Sequence, residues 1–495
     1  MPTKKKSLLI FSILAISLII WRQTMHLDKS SLSIPIPLTV TLDPHRMDDL
    51  YSMFVCGQIH SSLFTYNSSG NIENDIAESA TFDSSKHILE IKIKNLLFSD
   101  GTTITADHVM NSLKRPFSKQ ASISADMNYI EGYELAIKGK DSLAITVRDT
   151  KTILIKLKYE TDFIFKHLAL PDLAILKINK FNDELPSAKI TSGSYFVSEF
   201  DSKRLVLEKS QNRGNESGPK TVFLPKVEIK DLKSLALSGE IDTTEFYQNL
   251  SFEEELMTNN WKKIVTGQTY ENFLILNPSK LPRIFRENLF NLINSNIFQK
   301  FITENNFIPA FGLVPQSLPG SIYKPIKSDL NLIKSMPQKF KLTYSKSNQS
   351  HQVIAEMLSN LLITDGHEID LEPLELDQFY AALFAKKSSA IIAGKGLDYP
   401  DAYANLSYYV TDIASNFLFM ENSDLDAEIK SLTRVVGSNR IDMYRDIQTK
   451  ILSHRTVFPL FFGTTFSSLW SPKVKSVPSH PFGIQFLKLK DFEMN

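Results

Sequence analysis

The chain has 495 residues, 42% hydrophobic and 22% charged, a composition that supports a large folded core in more than one domain. Lys plus Arg equal Asp plus Glu at 55 each, so the formal net charge is zero, which argues against nucleic acid as the main partner. The single cysteine, Cys56, excludes an intramolecular disulfide and a cysteine-built zinc site.

The N-terminus carries Lys4-Lys5-Lys6 ahead of an apolar run from Ser7 to Trp21, the pattern of an export signal. The run is short for a spanning helix, which needs about 20 apolar residues. Arg22, Gln23 and Met25-His26-Leu27 fill the zone where a small-x-small cleavage site would stand. Residues 1–31 are therefore expected to stay as an uncleaved inner-membrane anchor and linker, in preference to a cleaved signal. No Cys follows the run, so a lipoprotein is not expected. Residues 28–37, polar and broken by Pro, predict a linker; 38–42 predict a strand closed by Asp43-Pro44; 49–62 predict a helix. In that helix Cys56 is expected in the core and His60 at the helix end, neither as a ligand.

Residues 63–66 followed by Ser69-Gly70 predict a strand and turn. Leu89, Ile91 and Ile93 alternate with Glu90, Lys92 and Lys94, a half-buried strand. It leads into Phe98-Ser99-Asp100-Gly101-Thr102-Thr103-Ile104-Thr105-Ala106-Asp107, running on to Arg115. Asp100-Gly101 is a turn dipeptide, and Thr105 is placed to N-cap a helix with Asp107 in its first turn. Val109 and Leu113 share a face, and Pro116 is expected to stop the helix. Ile153, Ile155 and Leu157 repeat the strand alternation, and 163–170 predict a short helix.

As a string, this stretch resembles the signature of the family 5 extracellular solute-binding proteins, the oligopeptide- and dipeptide-binding group. Those proteins carry F-S-D-G-T-P-(L/I)-T-A-(E/D)-D-V followed by S-(L/Y)-x-R. Phe98 to Thr102, Ile104 to Ala106, Val109, Ser112, Leu113 and Arg115 fit it. Thr103 stands where Pro is usual, and Asp107-His108 where an acidic pair is usual.

Further blocks follow in the family's order. Leu42-Asp43-Pro44 is similar to its L-D-P, and residues 74–79 resemble P-D-L-A-E-S-W with Ala80 in place of Trp. Residues 191–196 resemble G-T-G-P-Y, with Ser192 and Ser194 for Gly and Pro, and open a hairpin of 195–200 and 205–208. A serine beside glycine hints at a nucleophile, but the G-x-S-x-G spacing is missing. Residues 235–242 resemble L-x-x-G-E-I-D and read as a helix capped by Gly239 that runs into a strand. Residues 273–277 predict a strand. Residues 286–301 predict one helix with Leu289, Leu292, Ile293, Ile297 and Phe301 inward. Residues 309–320 form a Pro-Gly loop.

A strand at 341–344, a helix at 352–362 with Val353, Met357, Leu358 and Leu361 on one side, a C-cap at Gly366 and a strand at 369–371 imply a parallel pair. A strand at 389–393, helices at 424–436 and 441–452 and a strand at 457–461 complete the reading. Residues 471–477 resemble S-P-x-V-x-G-(V/I).

The loop Gly394-Lys395-Gly396-Leu397-Asp398-Tyr399-Pro400-Asp401 resembles the family's G-W-x-A-D-Y-P-D-P. In peptide-binding members the first Asp of that block meets the ligand's α-ammonium, a role the resemblance carries to Asp398. Asp398, Gly394, Gly396, Tyr399 and Lys395 form the expected ligand-contacting set. The two glycines would let the backbone approach a ligand. Lys395 replaces the usual Trp and either attracts an anionic ligand group or points to solvent. The plainer reading of Asp398 is a turn or helix-cap carboxylate; Asp401 is expected to N-cap the helix that follows.

The resemblance implies an α/β, two-lobed periplasmic-binding-protein fold, class II-like and of the three-domain peptide-binding type, with a hinged inter-lobe cleft. It implies a domain of 32–50, 186–270 and 475–495, an inserted domain of 51–185 in the same lobe, and a second lobe of 271–474. The implied function is that of a periplasmic, monomeric protein that captures a peptide or related small solute for an ABC transporter, meeting its permease subunits, with no cofactor. A second reading keeps the fold in a membrane-tethered sensor that signals to a partner. No enzyme is expected, since G-x-S-x-G and H-E-x-x-H are absent, and ten scattered histidines give no metal spacing.

Overall fold

Strands form where apolar residues alternate. The computed structural model describes residues 30–495 except 48, 186–188, 215, 248–249, 267–269, 326–336, 412–418, 420–421, 464–465 and 479–481. The expected N-terminal anchor lies outside the described residues. Among the described residues, no helix is long and apolar enough to cross a membrane. The chain divides into two compact units. One runs up to Glu160 and includes Ile164–Thr266 and Ser467–Asn495; the other is Gly267–Phe466 together with Thr161–Phe163.

In the first unit, Ile88–Ile93 buries Leu89, Ile91 and Ile93 and exposes or half-exposes the residues between them. It lies in an antiparallel sheet ordered Ala77–Asp83, Ile88–Ile93, Thr152–Lys156, Ile145–Asp149. The helix Ala106–Lys119 packs on the last two of these strands. Gly101 supplies the turn before it with φ of +82°, and Asp100 Oδ1 accepts from Thr102 N at 3.1 Å. Thr105 is the N-cap, its backbone N–H donating to His108 Nδ1 at 3.2 Å. The helix does not stop at Pro116. Pro116 removes only the N–H that would reach Ser112, and its own carbonyl accepts from Gln120 and Ala121, carrying the chain one more turn.

A second sheet of this unit is ordered Ser31–Ser33, Thr221–Pro225, Arg204–Lys209, Tyr195–Phe200, with the first pair parallel and the rest antiparallel. Within the stretch expected as a linker, residues 30–37 are thus not one: Leu32, Ile34 and Ile36 are buried in the core with Phe54, Tyr195, Leu207, Val222 and Trp470. Correspondingly, 38–42 form no strand. The sheet partner, Thr221–Pro225, lies far along the chain, so local pattern could not reveal the pairing. Val474–Ser476 pairs with Glu493–Met494, and Leu489 and Phe492 join the same core.

The second unit is built on one six-stranded sheet ordered Ile308–Pro309, Val457–Phe462, Glu271–Leu276, Ala390–Lys395, Lys339–Ser345, Glu368–Leu374. Lys339–Ser345 runs parallel to both its neighbours, as the strand–helix–strand order requires, and the helix Gln349–Thr364 makes that crossover. Its buried face is His351, Ile354, Ala355, Leu358 and Leu362, one step round from the face read off the sequence. The helix expected over 286–301 is two helices, Arg283–Ile293 and Asn296–Glu304. Ser295 accepts from Phe298 N as a new N-cap, and the change of axis leaves Ile297 63% exposed.

Candidate functional site

Ala390–Lys395 is buried through its first four residues and paired on both edges, so it delivers the 396–401 loop from a fixed base. Asp401 N-caps the helix Ala402–Leu406, accepting from Tyr403 N at 2.8 Å and from Tyr444 Oη. That buried cap sets the loop's exit. A short 3-10 turn, Ser407–Tyr409, follows.

Asp398 lies on the exposed part of the loop, and its Oδ2 accepts from Tyr408 Oη at 2.9 Å. Surrounding protein pushes its carboxyl pKa up, while the Tyr408 hydrogen bond and the Lys395 charge pull it down; the crowding wins. Among the described residues it makes no ion pair.

Lys395 is half-buried. Its Nζ donates to the Asn405 carbonyl at 2.7 Å and sits 4.2 Å from the Tyr408 ring centroid and 5.2 Å from that of Tyr409. Burial pulls its pKa down to about 8, against the charges of Glu271 and Asp398. It neither points freely to solvent nor makes an ion pair among the described residues.

The two glycines differ. A Cβ on Gly394 would stand 2.5 Å from Tyr270 Cε1, so its bareness serves packing against that ring. Gly396 has open space around it. Tyr399 is buried, its ring centroid 6.5 Å from that of Phe163.

Glu271 and Asn405 were not found by sequence reasoning. Glu271 opens Glu271–Leu276 directly opposite Lys395, on the same face of the antiparallel pair. It is fully buried, and burial pushes its pKa up to about 8 against the pull of Lys395 and Asn405. Asn405 Nδ2 donates to Glu271 Oε2 at 3.3 Å and to the Leu313 carbonyl at 2.8 Å. Glu271 Oε1 and Asn405 Oδ1 find no partner among the described residues. A buried acid at the head of a strand whose last four residues are apolar was the one local signal; its opposition to Lys395 was invisible. Among the described residues, no group of His, Cys, Asp and Glu side chains could hold a metal ion.

Arranged in this way, the second unit offers an accessible carboxylate and a desolvated ammonium on either side of Tyr408. Ser192, near Gly193 in the other unit, is a structural bridge, donating to the Ile175 carbonyl at 2.6 Å and accepting from Ser61 N at 3.0 Å.

The fold is that of the periplasmic binding proteins. The Escherichia coli murein tripeptide binding protein MppA superposes with a TM-score of 0.75 at 18% identity, over 94% of this chain and 99% of that one. Haemophilus influenzae OppA, solved with the peptide RPPGFSPFR, gives 0.74 at 17% identity, over 94% and 99%. Brucella suis NikA, solved with Fe(III)-EDTA, gives 0.77 at 16% identity, over 94% and 100%. The sequence profile of the bacterial extracellular solute-binding proteins, family 5, middle region, matches residues 71–417, and the chain belongs to that family. No curated protein sequence matches it.

Proposed function

We propose that this protein is an exported, monomeric solute-binding protein that captures a peptide, or a related small solute bearing an ammonium group, and delivers it to the permease subunits of an ABC importer. Its N-terminal segment anchors it to the inner membrane on the periplasmic side. Family and fold are those of binding proteins. Structural relatives were solved with peptides, among them OppA with RPPGFSPFR and Helicobacter pylori DppA with STSA.

The observation that carries the reading is Asp398. It is an accessible carboxylate at the end of a buried strand, held by one neutral donor and lacking an ion-pair partner among the described residues. Peptides differ in their side chains and share an N-terminal amine, so a fixed anion gives grip without sequence choice. A charge-assisted hydrogen bond of this kind contributes about 1.5–3 kcal/mol.

Native mass spectrometry of the purified protein tests the reading. Co-purifying peptides on the wild type, with occupancy lost or much reduced on Asp398→Ala, are expected. Unchanged occupancy on the variant would remove Asp398 from the site.

A further inference from the structure

We propose that Arg440 is a positioning residue of the candidate site. It acts through Phe163, which it seats behind Tyr399, the residue next to Asp398. The inference rests on the reading of Asp398 as the amine anchor.

The helix Ser438–Ser453 buries Arg440, Tyr444 and Gln448 at a spacing of four, so three polar side chains stand in a row on one face. Each holds a different stretch of the second unit. Gln448 accepts from Leu313 N at 2.9 Å and Val314 N at 3.1 Å, and donates to the Gly320 carbonyl at 2.9 Å. Tyr444 donates to Asp401, the cap at the loop's exit. Arg440 donates through both terminal nitrogens to Asp162, and through one of them to the Val435 carbonyl at 3.2 Å. The held loops lie tight against the row: a Cβ on Gly312 would stand 2.6 Å from Gln448 Oε1, and one on Gly320 2.7 Å from Tyr444 Cβ.

Burying a guanidinium is costly, and an apolar side chain would fill the space without that cost. What the guanidinium adds is a planar fork that fixes the orientation of its partner. That partner is carried by Thr161–Phe163, which belongs to the second unit although Glu160 and Ile164 belong to the first. With Asp162 held, Phe163 is fully buried, its ring 4.8 Å from the guanidinium. The rings of Tyr403 and Tyr399 meet it edge-on, with centroids at 5.2 and 6.5 Å. Tyr399 follows Asp398 directly, and Tyr403 stands in the helix that Asp401 caps. Phe163 thus braces the loop on both sides of Pro400. Asp398, exposed and bonded to Tyr408, takes its place from that brace. A loop released from it loses affinity in proportion to the time it spends elsewhere.

Isothermal titration of the full chain with Ala-Ala-Ala and N-acetyl-Ala-Ala-Ala tests this, because only the first brings an ammonium to Asp398. The wild type should prefer the free amine about tenfold or more, and Asp398→Ala should level the two. Asp162→Asn, on the partly exposed side of the clamp, should cut the preference to about threefold or less. Arg440→Lys, which keeps the charge and loses the fork, should do the same. A role confined to stability would weaken both probes alike. An undiminished preference in Asp162→Asn, with Asp398→Ala levelling the probes, would therefore overturn this inference and leave the amine anchor standing. No preference in the wild type, a preference that survives Asp398→Ala, or no binding of either probe would overturn both. Asp162→Asn decides where the two clamp variants differ or Arg440→Lys fails to fold.

Discussion

Glu271 shows what burial does to a single side chain. With one carboxyl oxygen unpartnered among the described residues and the whole residue out of water, its pKa stands at about 8 against an ordinary 4.5. Between those values the folded chain holds a proton that the unfolded chain releases. The stability this group contributes is fully present below the lower value and is lost as pH rises through the higher one. Lys395 has the opposite shift, from 10.5 down to about 8, so its own linkage lies above that window. Glu271→Gln keeps an acceptor for Asn405 and removes the titration. Thermal melts at about pH 5 and about pH 8 should show a smaller decline for the variant than for the wild type; parallel declines would show that Glu271 does not titrate there. The motif around Asp398 was legible because it is contiguous. Glu271 was not, because its opposition to Lys395 is made by strand pairing between distant segments. The close approach of the Tyr270 ring to Gly394 was likewise not legible.

Between elements, the telling contact is Arg115 on Asp43. The guanidinium is fully buried and donates through both terminal nitrogens to the Asp43 carboxylate, each at 2.7 Å, and through Nε to the Asp183 carbonyl. Burial acts to raise the Asp43 pKa, but the hydrogen bonds and charge of Arg115 outweigh it and hold the carboxyl below its usual range. The two ends of the sequence signature thus serve architecture: a turn at Asp100-Gly101 and a clamp at Arg115 that ties the 106–119 helix to the chain after the first strand. Arg115→Met leaves a buried carboxylate without its partner and should cost about 3–5 kcal/mol, read from urea unfolding. A loss below about 1 kcal/mol would mean the pair is exchanged for water without penalty. The same scale explains the errors in element boundaries. Ser295 starts a new helix where an apolar period seemed to run on, and Ser31–Ser33 is too short to announce itself without its partner at Thr221–Pro225.

For the whole molecule, order of blocks carried more than any one block: the family and its α/β fold were legible, while the contribution of Thr161–Phe163 to the second unit was not. There Asp162 takes both terminal nitrogens of Arg440, and Phe163 lies 4.8 Å from its guanidinium. The first unit is likewise stitched by distant residues. Gln58 donates to the Leu487 carbonyl and accepts from Leu489 N, each at 2.9 Å, and Leu487, Leu489 and Phe492 lie in the core that holds Phe54 and Tyr195. Deleting 482–495 should therefore make the first unit sensitive to limited proteolysis while 267–466 stays resistant; equal resistance of both would show that the tail is dispensable.

That stitching gives the ribosome's output a fixed order of completion. Ser467–Asn495 is translated after all of 267–466, so the body begun first is the one finished last. Until those residues emerge, the nascent polypeptide lacks the wedge of Leu489 and Phe492 that closes its opening half, and that half should stay loosely packed.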